Sequence, residues 1–179
     1  VIRYGIKKPV KLTKDEQILY LTRQGVNLDS IILVDLVEGF YDSLKDKKYC
    51  LDTYNFERKA YSVPQMRVYD KSGKIITGWQ SCFGDIKFMN YFSTEIPYTK
   101  YQENLFLNKS LVFQNDKNLI SDKDIAFDTT YNLTIFVLWA KHLGKFNKDF
   151  LMEVEKYKIK NKNISVRYIY ANLDIDETY

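Results

Sequence analysis

The stretch Tyr131–Glu177, YNLTIFVLWAKHLGKFNKDFLMEVEKYKIKNKNISVRYIYANLDIDE, decides the fold. Leu133 to Ala140 is a near-continuous apolar run, rich in β-branched and aromatic residues and short for a buried helix. It reads as a strand covered on both faces. From Asn147 to Lys160 the period changes. Phe150, Leu151, Val154 and Tyr157 recur at helical spacing, with Asp149, Glu153, Glu155, Lys156 and Lys158 mainly on the other side. Asn161 to Asn163 stops that helix. Val166 to Leu173 is a second apolar strand, and Asn172, Asp174 and Asp176 form the polar mouth expected at the carboxyl end of a parallel strand. Strand, helix and strand in this order predict a right-handed crossover within one sheet, with both strands central.

The turn between strand and helix carries a family resemblance. Trp139-Ala140-Lys141-His142-Leu143-Gly144-Lys145-Phe146 falls in register with the W-A-x-W-C-G-x-C motif of thioredoxin-like proteins, and Asn172-Leu173-Asp174 resembles the N-x-D that closes their next strand. Trp139, Ala140 and Gly144 match the motif. Leu143 and Phe146 stand where the two cysteines belong. The match covers about a quarter of the chain, and it implies the fold while withdrawing the activity. Thiol–disulfide exchange needs a thiolate stabilised at the helix N-terminus, which neither Leu nor Phe supplies.

A second block is similar to the same family. Val63-Pro64-Gln65 opens a strand, Pro64 to Tyr69. Asp70-Lys71-Ser72-Gly73-Lys74 makes a hairpin turn, and Lys74 to Trp79 returns. The resemblance implies that Pro64 lies beside the Trp139–Phe146 turn, with a cis Val63–Pro64 bond as its sharper form. The order is unusual, because the family's proline hairpin follows the strand ending at Asp174, whereas here it precedes it by about a hundred residues. Either the two halves form one sheet in permuted order, or the chain holds two incomplete units. Uncovered sheet edges and the total length favour the single permuted sheet. The expected fold class is therefore α/β: a thioredoxin-like mixed sheet with flanking helices and extra N-terminal helices.

With 179 residues, 45% hydrophobic and 16% aromatic, the chain suffices for one well-filled core, so a single domain over 1–179 is expected. Its parts are a helical segment 1–48, the proline hairpin and a helix in 49–92, and the strand–helix–strand core in 110–177. The net charge of +4 comes from 27 basic and 23 acidic residues spread along the chain, a solvated surface that argues against nucleic-acid binding. No stretch approaches the apolar length of a membrane span. Val1 is not an initiator Met, so the sequence reads as a trimmed or mature form, compatible with an envelope or periplasmic location once a targeting segment is removed. With two cysteines and one histidine, neither a disulfide framework nor a metal site is expected, and no cofactor is implied.

From the start, Ile2 to Lys11 reads as an extended lead-in. Thr13 and Glu16 form a capping box for a helix that Gly25 ends. Asp29 or Ser30 is then expected to cap a second helix through about Lys45, because Ile31, Val34, Leu36, Val37, Phe40, Tyr41 and Leu44 make an apolar stripe. Tyr49 to Phe56 and Ser110 to Gln114 read as short strands, Gly84 to Phe92 as a helix, Ser93 to Leu105 as a loop, and Ile125 to Phe127 as a further short strand.

His142 sits one residue before the first missing cysteine. A catalytic imidazole needs an orienting carboxylate or a nucleophile, and the sequence shows neither at a fixed spacing, so a half-exposed loop histidine is the plainer reading. Asp174 and Asp176 read either as ligand-facing or as solvated and capping groups. Cys82 follows a strand and precedes an expected helix, the one weak candidate for a reactive thiol; burial is the simpler role for a free cysteine. The aromatic stretch Tyr91 to Phe106 suits either an interface or core cover. The sequence therefore reads as a redox-inactive thioredoxin-like binding or scaffold protein with another protein as partner. Its expected binding residues are Pro64, Trp139, His142, Leu143, Gly144, Lys145 and Phe146. The alternatives are a thiol oxidoreductase or peroxidase-like enzyme working through Cys82, and a subunit of a larger assembly.

Overall fold

A computed structural model describes residues 8–36, 64–80, 125 and 128–174. Within them the elements are helix α1 (Lys14–Arg23), strands β1 (Ile31–Val34), β2 (Gln65–Tyr69), β3 (Ile75–Gln80) and β4 (Leu133–Trp139), helix α2 (Lys145–Lys160) and strand β5 (Val166–Asn172). The five strands form one mixed sheet in the order β1-β5-β4-β2-β3. The molecule is thus α/β, and elements from both parts of the chain share that sheet.

The apolar runs that dominate the sequence lie at the sheet's centre. β4 and β5 are adjacent and parallel, from Leu133 opposite Val166 to Trp139 opposite Asn172. All seven residues of β4 are buried, as a strand flanked on both edges and covered on both faces must be. α2 joins the two and buries Phe150, Leu151, Val154 and Tyr157, the stripe expected from its spacing. It begins at Lys145, two residues before the expected start, because Gly144 rather than a side chain ends the preceding turn.

β2 flanks β4 on the other side, antiparallel, with Gln65 opposite Leu138 and Tyr69 opposite Thr134. β3 returns along β2 after the expected hairpin. Asp70 fixes that turn by accepting hydrogen bonds from Ser72 N (2.8 Å), Ser72 Oγ (2.6 Å) and Lys74 N (3.1 Å). Gly73 supplies the positive φ of 78°. Burial alone would push the Asp70 carboxyl up, but these donors hold it below its ordinary value.

Sheet pleating gives each face its own core. Met66, Val68, Ile135, Val137, Trp139, Tyr168 and Tyr170 meet Leu21 of α1 and the buried stripe of α2. Tyr69, Phe136, Leu138, Ala140, Ile169 and Ala171 pack with Val34, Ile125 and Leu173 on the opposite face. The capping box of α1 is present as expected: Glu16 N donates to Thr13 Oγ1 (3.3 Å), and Thr13 N to Glu16 Oε2 (2.8 Å). Thr13 N and the Thr13 hydroxyl, which also donates to Glu16 Oε2 (3.1 Å), hold the Glu16 carboxyl below its usual range. Gly25 follows the helix at φ 79°.

One expectation fails. Ile31 to Val34 forms no helix but the edge strand β1, parallel to β5 with Ile31 opposite Tyr168 and Val34 opposite Ala171. Neither Asp29 nor Ser30 caps an α-helix; Asn27 instead accepts a hydrogen bond from Asp29 N (3.0 Å) and closes a single 3₁₀ turn, Leu28–Ser30. Three β-branched residues in four favour an extended strand, and the bare edge of β5 supplies a partner. Ile125 is buried but lies in no strand. The expected elements in 37–63 and 81–124 lie outside the described residues, as do Val63, Cys50, Cys82, Asp176, and residues 126 and 127.

Candidate functional site

The carboxyl ends of β4 and β5 open onto one turn. β4 ends at Trp139, residues Lys141–Leu143 form a 3₁₀ turn, and α2 begins at Lys145. Gly144 makes the reversal at φ 58° and ψ −127°, a backbone conformation that a side chain disfavours. Asn147, fully buried in the first turn of α2, accepts a hydrogen bond from Ala140 N (3.0 Å) and donates to the Tyr20 hydroxyl (3.2 Å). Tyr20 stacks on Trp139 with ring centroids 5.4 Å apart. Burial raises the pKa of its hydroxyl, partly opposed by the Asn147 hydrogen bond. Strand end, turn, α2 and α1 are therefore tied together.

Asp174, just beyond β5, is the centre of the arrangement. Its carboxylate accepts from Lys141 N (2.5 Å), His142 N (2.9 Å), His142 Nδ1 (2.7 Å) and Asn172 Nδ2 (2.8 Å). Only 1% of its side-chain surface is exposed, against 18% for His142. Burial alone would push the carboxyl up. The donors of His142 and Asn172 and the backbone N–H groups of His142 and Lys141 outweigh it and hold Asp174 below its ordinary value of 3.8. Asp174 is thus an anion at neutral pH, an acceptor only, so Nδ1 of His142 carries the hydrogen between them. Nε2 remains as the acceptor of the neutral ring.

This pair is what sequence reasoning missed. No orienting carboxylate was expected for His142, yet Asp174 provides one across 32 positions of sequence. The link exists because β4 and β5 run side by side and end together, and Leu173 N donates to Trp139 O (2.8 Å) at the same level. An N-x-D at the end of a strand paired with the one before the turn was the available signal. Asp174 is the capping group that reading allowed for, but it caps the turn rather than a helix.

The expected binding residues divide by exposure. Continuing the β2–β4 register one step sets Pro64 opposite Trp139, beside the turn. Pro64 and Trp139 are buried. Neither side chain presents exposed surface; the Trp139 ring stacks on Tyr20 of α1. His142, Leu143, Gly144 and Phe146 are half-buried, and Lys145 is exposed and ion-paired with Asp149. Among the described residues no cluster of His, Cys, Asp and Glu could hold a metal ion, and no helix is long and apolar enough to cross a membrane. Compared with protein families, curated proteins and solved structures, the chain shows no significant match to any.

Proposed function

We propose that this chain is a thioredoxin-like module in permuted order, without the redox cysteine pair, that acts by binding another protein at the Lys141–Phe146 turn. The observation that carries the reading is the pairing of the proline hairpin. β2, opened by Pro64, lies antiparallel against β4, the strand that leads into the turn, while β5 lies parallel on its other side. The family resemblance implies such a pairing for a proline loop and a redox turn, and the β2–β4 adjacency supports the reading although the hairpin comes first in the chain.

At that position the turn offers no thiol. Its accessible groups are the His142 imidazole, the half-buried Leu143 and Phe146, and the Lys145 ammonium. Half-exposed apolar side chains ringed by polar ones suit contact with a partner surface, and the hydrogen bonds that fix the turn backbone lower the ordering cost of binding. A photo-reactive residue at position 145, compared with one at the exposed Lys162 beyond the far end of α2, tests the reading in an extract of the source cells. A discrete cross-linked product from position 145 and none from position 162 is expected. Equal labelling from both positions, or disulfide-reductase turnover by the native protein that Cys82→Ser abolishes, would overturn it.

A further inference from the structure

We propose that Arg67 and Gln65 of β2 form a binding site for a small oxyanion, a carboxylate or a phosphate, on the face of the sheet opposite α1 and α2. This site stands independently of the binding reading above.

Alternation along β2 sends Met66 and Val68 into the core shared with the helices, and Gln65, Arg67 and Tyr69 to the other face. There Gln65 stands opposite Leu138 of β4 and Arg67 opposite Phe136, both apolar. Gln65 and Arg67 are each 0% exposed. A guanidinium is a permanent cation with five N–H donors and no acceptor, and its burial is stable only where acceptor atoms surround it. Arg67 Nε donates to Gln65 Oε1 (2.5 Å). That bond also fixes which way the amide faces, because turning it over would set two donors against each other. Gln65 Nε2 shares a carbon with the oxygen that Arg67 holds, so it is a pure donor next to the guanidinium. Arg67 has further contacts of its own, whereas Gln65 Nε2 has no hydrogen-bond partner in the protein.

A fully buried donor without an acceptor is rare in folded proteins, and such a group marks a place for a bound one. A ligand that touches both Nε2 and the guanidinium has to accept from each. Negative charge strengthens both bonds, the more so at low local dielectric. Carboxylates and phosphates meet these demands, since two oxygens on one centre accept from neighbouring N–H groups at once. A cation is repelled by the guanidinium, and a ligand that only donates is refused by both side chains. The residue paired with Arg67 on β3 is Gly78, which brings no side chain over the guanidinium. β3 is the outermost strand on that side among the described residues. Leu143 of the turn packs on the apolar cluster of this face and is half-buried, so the cluster reaches the surface beside the turn. Because the pair itself is enclosed, it suits a small ion rather than an extended ligand.

Titration of the ¹⁵N-labelled full chain at neutral pH, with inorganic phosphate in one series and acetate in another, tests the site, with ionic strength held constant by chloride. The side-chain amide resonances of Gln65, assigned by through-bond correlation, are expected to move downfield and saturate with one of the two anions, and the anion that does so gives the class of ligand. Resonances that stay in place through both series would overturn the inference. Gln65→Glu keeps the shape of the side chain and brings its own carboxylate to Arg67. That variant should show no saturable response to either anion in its backbone amides at positions 64 to 68, where the native protein responds. A variant that responds as the native protein does would place the anion elsewhere and overturn the assignment. The native titration decides against the site by itself if the variant does not fold.

Discussion

Asp174 is the residue on which most of the turn depends. It accepts four hydrogen bonds from three residues while nearly excluded from water. Asp174→Asn turns one of its acceptor oxygens into a donor facing donors. It is expected to cost about 3 kcal/mol in urea unfolding at neutral pH. The pH dependence has a definite sign. The folded carboxyl is held below 3.8, so its stabilisation is fully present above that value and is lost as pH falls through the folded one. The native protein should lose this increment in acid, and the Asn variant should show a correspondingly flatter acid limb. The pair of His142 with Asp174 was not legible in the sequence, because its spacing is set by which strands lie side by side. Once β4 and β5 are paired, the link between the two residues follows from their positions at the strand ends.

At the scale of the element, the legible parts are those with one dominant period. The switch from the apolar run of β4 to the helical stripe of α2 and back to β5 leaves little ambiguity, and Thr13 with Glu16 marks the start of α1 directly. Ile31 to Val34 is different, since a short unbroken apolar run fits helix and strand alike; the edge of β5 resolves it. Replacing Thr13 by Ala should cost about 1 kcal/mol through the lost cap. The two glycines that close helices and turns should respond unequally. A Cβ at Gly25 meets nothing within 4 Å and sits at a left-handed φ of 79°, so Gly25→Ala should cost about 1 kcal/mol. Gly144 combines φ 58° with ψ −127°, outside the left-handed helical well, and Gly144→Ala should cost about 2–3 kcal/mol. Parallel urea titrations of both variants check the order.

For the whole molecule, the decisive feature is that a hairpin early in the chain completes a sheet whose centre is built late. Sequence order suggested two arrangements, and only three-dimensional pairing joins Gln65 to Leu138. The buried Arg67, which donates to Gln65 Oε1 at 2.5 Å, lies in that same hairpin strand. If the resulting turn is a thioredoxin-like one stripped of its thiols, its scaffold should still support them. The helix N-terminus at α2 remains able to stabilise a thiolate, whereas Leu143 and Phe146 offer only apolar contact. The most direct measurement is reduction of insulin disulfides, with dithiothreitol as the terminal reductant, by the native protein and by the double variant Leu143→Cys, Phe146→Cys. The native protein should match the background rate, and the double variant should form an internal disulfide and exceed that rate measurably. Turnover by the native protein, or a double variant whose two cysteines never form a reversible dithiol couple, would contradict the account.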